Sequence, residues 1–389
     1  MSTSFSLRDR KLILSSAADI FSHTRAVDLA STTTFCIDGN SIGAEAGVAL
    51  RELLNSMPRL KSANFSNIFS QRQKEEIPDI LAAICDGLKA KPTLRDLDIS
   101  DNAIGVLAVE SIVPFLVENR SLRVLKMNNV GFGPVAGTIA AKALHLSALM
   151  NSMHQRPLNL RAIICGRSRL EDGSAAAWSE AFASYPDLVA VHFPQSGIKE
   201  LGLTAIAHGL RSCHSLRYIN VADNIAREEK LDATRTDPDV DATTAFANGL
   251  SSWKELEYLN LSDCCLTNAG TTQIIAALAL GNNLKLNSLL LENACFDESF
   301  GVKLLQALRA GHLPNLGVLK ISEHEGLGDV EAGVWSEIST ILQGRQGNIV
   351  WKRDLDDEED TSYLDDLVSA LIDSPESPSL VDAMAGLSV

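Results

Sequence analysis

The sequence lacks the features of membrane and secreted proteins. No apolar run reaches the ~18 residues that a membrane-spanning helix requires, and residues 1–10 are polar, without the apolar segment of a signal peptide. The 7 cysteines are an odd number without paired spacing, which argues against a disulfide framework and against a metal site. We therefore expect buried cysteines in a reducing compartment and no membrane insertion. The expected location is the cytoplasm, with a perinuclear position as an alternative.

Signatures of chemistry are equally scarce. No Gly-rich loop ends in Lys-Ser or Lys-Thr, so the chain has no P-loop for a nucleotide of its own. Its 8 histidines show no metal-ligand spacing, and no pair of nucleophile and base is visible. A formal net charge of −15 argues against nucleic acid as a partner, because phosphate backbones repel acidic surfaces. An enzyme with a substrate of its own therefore has little support.

What the sequence does contain is one repeated phrase, clearest from Leu94 to Gly105. Apolar residues stand at its first, fourth and sixth positions, Leu94, Leu97 and Ile99, and Asn102 at its ninth. The alternation at positions four to six predicts a short strand with its aliphatic residues in a core. An asparagine amide can satisfy backbone groups that a tight bend leaves unpaired, so a turn should follow. The next residues are typical of a helix, and one unit is a strand, a turn and a helix.

The phrase recurs with the period of long leucine-rich repeats. Successive starts are separated by 28, 38, 28, 28, 40, 30 and 30 residues. The starting residues are Leu94, Leu122, Leu160, Leu188, Leu216, Leu256, Leu286 and Leu316. Two degenerate units precede them, with Phe35 and Leu60 as their first apolar residues. We predict about ten repeats in a curved α/β solenoid, with parallel strands on the concave face and helices on the convex face.

This architecture sets the domain organisation. A solenoid can exceed the size of a single globular core because each repeat buries its apolar face on its neighbours. Residues 1–30 are the predicted N-terminal cap, 31–345 the repeats, and 346–389 an acidic, largely flexible tail with the spacing of a short helix. Between Asp354 and Asp382 there are 11 Asp or Glu and no Lys or Arg. Such a tail either speeds encounter with a basic partner or serves solubility alone.

The second repeat departs from the pattern at the carboxyl edge of its strand. After Phe65 a helix is expected within a few residues, but the sequence delays it to Glu76 or Pro78, and proline is accepted in a first helical turn. Arg72 and Lys74 therefore lie on an enlarged loop. A solvated loop without function would explain two exposed cations as well.

Three later repeats also differ at this edge. In the fourth, Val130 takes the ninth position, and Asn129 just before it either lies at the rim or does the work of the missing turn asparagine. The fifth repeat places Arg167 and Arg169 at the same edge. The seventh is followed by a charged stretch without apolar periodicity, 226–238, which predicts a protruding loop.

Four segments are more specific than leucine spacing. They are Asp38 to Ala46, Phe65 to Phe69 with Arg72 and Glu76 to Pro78, Asn128-Asn129 with Gly133 to Gly137, and Ile164 to Arg167 with Arg169 to Glu171. In this order they resemble the GTPase-activating proteins of Ran, the small GTPase of nuclear transport. The resemblance covers residues 35–325, about three quarters of the chain.

The resemblance implies roles for three of these residues. Arg72 takes the place of the family's essential arginine, Asn129 that of an asparagine at the GTPase interface, and Lys74 that of a basic residue of the same loop. It also implies that such proteins orient the GTPase's own catalytic glutamine and insert no arginine finger. The implied partner is Ran in its GTP form, with a Ran-binding protein as a further candidate. GTP and Mg²⁺ would belong to Ran, and this chain would be a monomer without a cofactor or metal of its own.

Partner contacts and departures from the family follow the same edge. The predicted contacts are Lys74, Asp101, Arg167, Arg169, Asp223 and Asp263. The departures are Val130 beside Asn129, Val106 after Gly105, and the long loop from Ala226. The alternative function is a non-catalytic scaffold or inhibitor that binds a basic protein partner. It would use four aspartates of the concave face, Asp96, Asp98, Asp223 and Asp263.

Overall fold

The protein is described by a computed structural model that covers residues 3–226, 242–322, 329–352 and 361–374. The chain divides into two compact units. Unit 1 comprises Met1–Ser168 together with Ser362–Val389, and unit 2 comprises Arg169–Thr361. The predicted protruding loop, the acidic run 353–360 and the end of the tail from 375 lie outside the described residues, apart from Ala226.

Unit 1 alternates short strands with helices. Its strands are β1 Thr3–Ser6, β2 Ile13–Leu14, β3 Thr32–Cys36, β4 Ser41–Ile42, β5 Ser62–Asn64, β6 Asp96–Asp98, β7 Val124–Lys126 and β8 Ala162–Ile164. Its first helices are α1 Ala17–Thr24, α2 Ala44–Asn55, α3 Ile77–Lys89, α4 Gly105–Ala108, α5 Val113–Glu118 and α6 Gly133–Met153, with a 3-10 turn at Val109–Ser111. The order β1-β3-β5-β6-β7-β8 forms a parallel sheet, and β2 pairs with β4.

The repeat phrase explains this sheet. Leu97 pairs in register with Ala63 on one side and Leu125 on the other, so equivalent positions of successive repeats lie side by side. Leu94, Leu97 and Ile99 are all buried. Parallel strands need a crossover, and the helix of each repeat supplies it while covering the apolar side of the sheet. The predicted α/β leucine-rich-repeat fold is confirmed.

The N-terminal residues pack onto the first repeat. Strand β1 pairs in parallel with β3. Helix α1 begins at Ala17, and Ser16 and Asp19 form a capping box at its start, which satisfies backbone N–H groups that a helix leaves unpaired. The Nδ2 of Asn40 donates to the carbonyl oxygen of Leu7, which ties this segment to the first repeat turn.

Unit 2 repeats the same alternation. Its helices are α7 Glu171–Ala183, α8 Glu200–Leu210, α9 Ala242–Leu250, α10 Asn268–Leu278, α11 Glu298–Arg309 and α12 Asp329–Gln343. Its strands are β9 Ala190–His192, β10 Tyr218–Asn220, β11 Tyr258–Asn260, β12 Ser288–Leu291, β13 Val318–Ser322 and β14 Asn348–Lys352. They pair in parallel in chain order.

The predicted start of a flexible tail at residue 346 is wrong, because the sheet of unit 2 continues past it. Strand β14 pairs with β13 over 5 residues, and Trp351 packs edge to face on Trp335 at 5.3 Å between ring centroids. A continuous apolar run, Ile349 to Trp351, forms this strand without a leucine at any repeat position, which is why leucine spacing misses it.

A last helix, α13, spans Ser362–Asp373 and belongs to unit 1. It packs against β7, with Leu364, Leu367 and Val368 buried. The sequence predicts a short helix here from the same apolar spacing, but gives no sign of where it docks.

Two expectations about side chains and membranes can be compared with the structure. Five cysteines are buried, but Cys265 and Cys295 are exposed, so the prediction of burial is wrong for these two. They follow the repeat turns, where the chain has already left the core. Among the described residues, no helix combines the length and apolar character needed to cross a bilayer.

Candidate functional site

A row of buried residues, here called the turn line, follows the strands of unit 1. Its members are Asn40, Ile68, Asn102, Val130 and Ser168. Asn102 shows how the row works: its Nδ2 donates to the carbonyl oxygens of Phe65 and Ile99, both at 2.9 Å, and its Oδ1 accepts from the N–H of Ile68 at 2.9 Å. One amide therefore satisfies three backbone groups from two repeats, as the sequence predicts for a turn asparagine.

The residue immediately before each member of the turn line forms a second row, the rim line. In unit 1 it comprises Gly39, Asn67, Asp101, Asn129 and Arg167, with φ between 49° and 70°. This left-handed backbone favours Gly, Asn and Asp, which fill four of the five positions. Asp101, Asn129 and Arg167 are exposed. The turn thus directs three of the predicted site residues into solvent.

Asn129 lies at the rim and does not replace a turn asparagine. Its backbone N–H donates to the carbonyl oxygen of Gly166 at 2.8 Å, and its Nδ2 donates to Oδ1 of Asp101 at 3.0 Å. The turn position itself is filled by Val130, which is fully buried and whose N–H donates to Oγ of Ser168 at 3.4 Å. The alternative role for Asn129 is therefore excluded, and the Val130 departure leaves its rim position intact.

Arg72 is half-buried on the enlarged loop and faces its own chain. Its Nε donates to Oγ of Ser41 at 2.8 Å, and its Nη2 donates to the carbonyl oxygen of Ser41 and to Oγ of Ser15, both at 3.1 Å. The guanidinium thus joins the loop to the first repeat and to the N-terminal residues. A solvated loop without fixed contacts does not describe this residue.

Two buried apolar residues hold the loop in place, and a glycine leaves space for its arginine. Ile68 and Phe69 are buried, and Phe69 forms an antiparallel bridge with Ser41. Gly43 leaves room for the arginine, since a Cβ at this residue would lie 2.9 Å from Nη1 of Arg72. The helix that follows the loop begins at Ile77 with Pro78 in its first turn, as the sequence predicts. The contacts of Arg72 with Ser15, Ser41 and Gly43 were not predicted from the sequence, because small residues carry no signal of a contact distant in sequence.

The remaining predicted contacts are spread over both units. In unit 1, Lys74 is exposed on the loop, and no hydrogen bond joins Arg72 to Asn129 within the described ranges. In unit 2, Arg169 and Asp223 are exposed and Asp263 is half-buried, all three with positive φ. Asp263 accepts a hydrogen bond from Nδ2 of Asn293.

The inner face of β6 does not offer the two aspartates that the scaffold alternative requires. Asp96 is 6% exposed and accepts a hydrogen bond from Oγ of Ser62 at 2.6 Å. Burial raises the pKa of Asp96, because a charged carboxylate is poorly solvated there. Asp98 is half-buried and accepts from the N–H of Ser100 at 2.9 Å, and burial raises its pKa as well. Neither side chain is an exposed acidic contact.

No metal centre is visible in the part of the chain that the structure describes, because no three His, Cys, Asp or Glu side chains are grouped to hold an ion. The enlarged loop carries Arg72 and Lys74, and the rim line carries Asp101, Asn129 and Arg167. Both consist of hydrogen-bonding groups in fixed backbone positions.

The repeats define the class of protein. A family model described as Leucine Rich repeat matches residues 90–113 and 255–271. Among solved structures, an internalin from Listeria monocytogenes is 12% identical, with a TM-score of 0.43, over 91% of this chain and 88% of the internalin chain. The alternating order of strands and helices, together with the matched repeats, makes this chain an α/β leucine-rich-repeat protein.

Curated relatives identify the family. Ran GTPase-activating protein 1 of Saccharomyces cerevisiae is 30% identical over 327 residues, which is 82% of this chain and 77% of the yeast protein. Ran GTPase-activating protein 1 of Xenopus laevis is 41% identical over 165 residues, 42% of this chain. Ran GTPase-activating protein of Drosophila melanogaster is 32% identical over 217 residues, 54% of this chain. The chain belongs to the Ran GTPase-activating protein family. The matches span 28% of the Xenopus protein and 36% of the Drosophila protein.

Proposed function

We propose that this protein stimulates GTP hydrolysis by Ran and performs no catalysis without it. The observation that carries the proposal is the guanidinium of Arg72, held by Ser15 and Ser41 on a loop that interrupts the regular repeats. Phosphoryl transfer depends on positioning and charge stabilisation more than on covalent chemistry. A protein can therefore accelerate it by supplying a few groups in fixed positions.

The side chain of Arg72 faces its own chain, and this orientation supports a positioning role. Two of its nitrogens already donate to groups of its own chain, so the guanidinium shapes the loop against which a partner would dock. An arginine finger would instead extend into the partner's phosphate site. The contacts of Arg72 agree with what the family resemblance implies, that the GTPase's own glutamine is oriented and no finger is inserted.

Asn129 is the proposed contact to that glutamine. A carboxamide carries donors and an acceptor, so it can pair with a second carboxamide and fix its rotation. Asp101 accepts a hydrogen bond from Nδ2 of Asn129 and thereby orients it. Lys74 and Arg167, both exposed in unit 1, are proposed partner contacts, as are Arg169, Asp223 and Asp263 of unit 2.

The proposal assigns GTP and Mg²⁺ to the partner, because the sequence contains no P-loop. The partner is Ran in its GTP form, with or without a Ran-binding protein. The chain acts as a monomer, without a cofactor, nucleic acid or membrane insertion, in the cytoplasm and with a perinuclear location open. Its acidic balance favours encounter with a basic surface.

The test is single-turnover hydrolysis of GTP pre-loaded on Ran, with catalytic amounts of this protein. We expect an acceleration of ~10³ to 10⁵, equivalent to roughly 4 to 7 kcal/mol of barrier. Arg72→Ala should abolish it. Arg59→Ala is the matched control, because it removes an exposed arginine before β5 of the same repeat. Thermal unfolding of each variant separates lost activity from lost structure.

Each outcome has a defined meaning. Full activity in a folded Arg72→Ala variant would leave the activator function and remove Arg72 from it. Binding of Ran without acceleration by the wild type would instead favour a scaffold or inhibitor. Of the four aspartates of that alternative, Asp223 is exposed and Asp263 half-buried, whereas Asp96 is buried and could not serve it.

A further inference from the structure

The end of α13 lies against two arginines of unit 1. Arg95 and Arg123 immediately precede β6 and β7. The Nη1 of Arg95 donates to the carbonyl oxygens of Ile372 and Ser374, both at 3.0 Å. The Nη1 of Arg123 donates to the carbonyl oxygen of Ser374 at 2.6 Å. The last carbonyls of a helix lack partners within it and carry partial negative charge, so two guanidinium groups stabilise this terminus.

The side chain of Ser374 takes part in the same contact. Its Oγ lies 2.6 Å from Nη1 of Arg123 and donates to the carbonyl oxygen of Leu371 at 2.9 Å. In the sequence, Ser374 is followed by Pro375, and Ser-Pro is the dipeptide that proline-directed protein kinases modify. The half-buried serine hydroxyl thus contacts the guanidinium of Arg123, and the carbonyl oxygen of the same residue accepts from Arg95.

We propose that Ser374 is a phosphorylation site and that Arg95 and Arg123 bind its phosphate, which fastens α13 to unit 1. In the reaction, Oγ of Ser374 forms a bond to the γ-phosphorus of ATP. The bond from that phosphorus to the β–γ bridging oxygen breaks, ADP leaves, and the hydroxyl proton passes to the base of a proline-directed kinase. The product carries a charge of about −1.5 to −2 beside two guanidinium groups.

The physical case rests on what the phosphate adds to an existing contact. A neutral hydroxyl accepts one bond from Arg123, whereas a phosphate offers three acceptor oxygens to guanidinium donors that already point at this residue. The neighbouring Asp373 opposes a second negative charge, but it is exposed and its field is screened by solvent. The partly negative carbonyls at the end of α13 also oppose the phosphate, and the proposal is that the two guanidinium groups at hydrogen-bond distance from Ser374 offset both.

The proposal requires that α13 open locally so that a kinase can reach the serine. Helix α13 has 12 residues, and a helix of this length is marginal by itself in water. Three buried apolar side chains, Leu364, Leu367 and Val368, hold it. Local opening of this segment would expose Ser374 to a kinase before the phosphate closes the contact again.

The experiment uses the full chain with a recombinant proline-directed kinase of the mitogen-activated class and ATP. Tandem mass spectrometry locates the phosphate, and hydrogen–deuterium exchange follows the amides of 362–374. We expect phosphate on Ser374 and exchange of these amides slowed about 10-fold or more. Ser374→Ala is the matched control, because the same kinase can still modify the second Ser-Pro site, Ser377. In this variant, treatment with the kinase should not slow exchange of the amides of 362–374.

Arginine variants test which residues bind the phosphate. Arg123→Gln weakens the helix contact with or without phosphate, so the quantity compared is the ratio of exchange rates before and after modification. That ratio should fall toward one in Arg123→Gln and in Arg95→Gln. Modification of Ser377 alone in the wild type would overturn the site. Phosphate on Ser374 with unchanged or faster exchange would overturn its binding by the arginines.

Discussion

Asn102 and Asn129 are both asparagines of repeat turns in unit 1, but they lie on different lines. Asn102 is 2% exposed and bonds to three backbone groups from two repeats. Asn129 is exposed, and its amide donates to another side chain, Asp101. The turn line therefore holds the stack together, and the rim line one residue earlier presents side chains to solvent.

The difference shows why the rim can carry function without loss of fold. The N–H of Asp101 donates to the carbonyl oxygen of Asn128, and that of Asn129 donates to Gly166, both at 2.8 Å. The backbone of the rim is thus fixed by neighbouring repeats, whichever side chain it bears. Even arginine occurs there at a φ of 53°, at Arg167. The exposed side chains of the rim can serve a partner, whereas those of the turn line are buried, and its asparagines bond to the backbone.

The largest effect on stability is expected in the strand behind the turn line. Leu97 is 1% exposed and lies between Ala63 and Leu125 of the adjacent strands. Leu97→Ala should lower the free energy of unfolding by roughly 2 to 5 kcal/mol, because it leaves a cavity in the core. Urea denaturation measures it. Stability like that of the wild type would mean that the assigned repeat register is wrong.

The turn line itself comes next. Asn102→Ala should cost roughly 2 to 4 kcal/mol, because it leaves the carbonyl oxygens of Phe65 and Ile99 and the N–H of Ile68 without their partner. Asn129→Ala is the control, since its exposed amide satisfies no buried group. Equal losses in the two variants, by calorimetry, would remove the distinction between the lines.

The rim line is tested through activity. In the hydrolysis assay with Ran, Asn129→Ala should slow GTP hydrolysis about 10-fold to 100-fold, the cost of one lost orienting hydrogen bond in a catalytic site. Gln195→Ala, an exposed rim residue of unit 2 without a predicted role, is the control. A loss shared by both variants would indicate a general effect of the rim and not a specific contact.

The sequence predicts the elements of this comparison to different degrees. The turn line could be predicted because its periodicity is local: Asn40, Asn102 and Asn224 recur at one position of the phrase. The left-handed backbone of the rim line needed the structure, since a positive φ at Arg167 runs against the preference of an arginine. Family resemblance singled out Arg72, but its bonds to Ser15 and Ser41 did not follow from any local pattern.

Contacts between parts of the chain that do not share the repeat pattern were not predictable. The bond from Arg123 to Ser374 spans 251 residues, and neither residue belongs to a periodic pattern that announces the other. Strand β14 was missed for a related reason, because its pairing with β13 is decided by an available sheet edge and not by leucine spacing. The local sequence thus specifies the repeat unit, whereas the docking of α13 and the pairing of β14 depend on surfaces that other parts of the fold provide.

The smallest effect is expected from Val130→Asn, a change in the turn line directly beside Asn129 of the rim line. This change restores the usual turn asparagine, which could bond to the carbonyl oxygens of Ile99 and Met127 as Asn102 does one repeat earlier, but it gives up apolar packing. The two changes oppose each other, so the free energy of unfolding should move by about 1 kcal/mol or less.

Activity toward Ran should not change in Val130→Asn, because the rim position of Asn129 is fixed by its N–H bond to Gly166. Calorimetry and the single-turnover assay on one preparation measure both quantities. If activity fell 10-fold or more at unchanged stability, the turn line would control how the rim presents Asn129. Valine at this position would then be part of the activator site and not a tolerated departure.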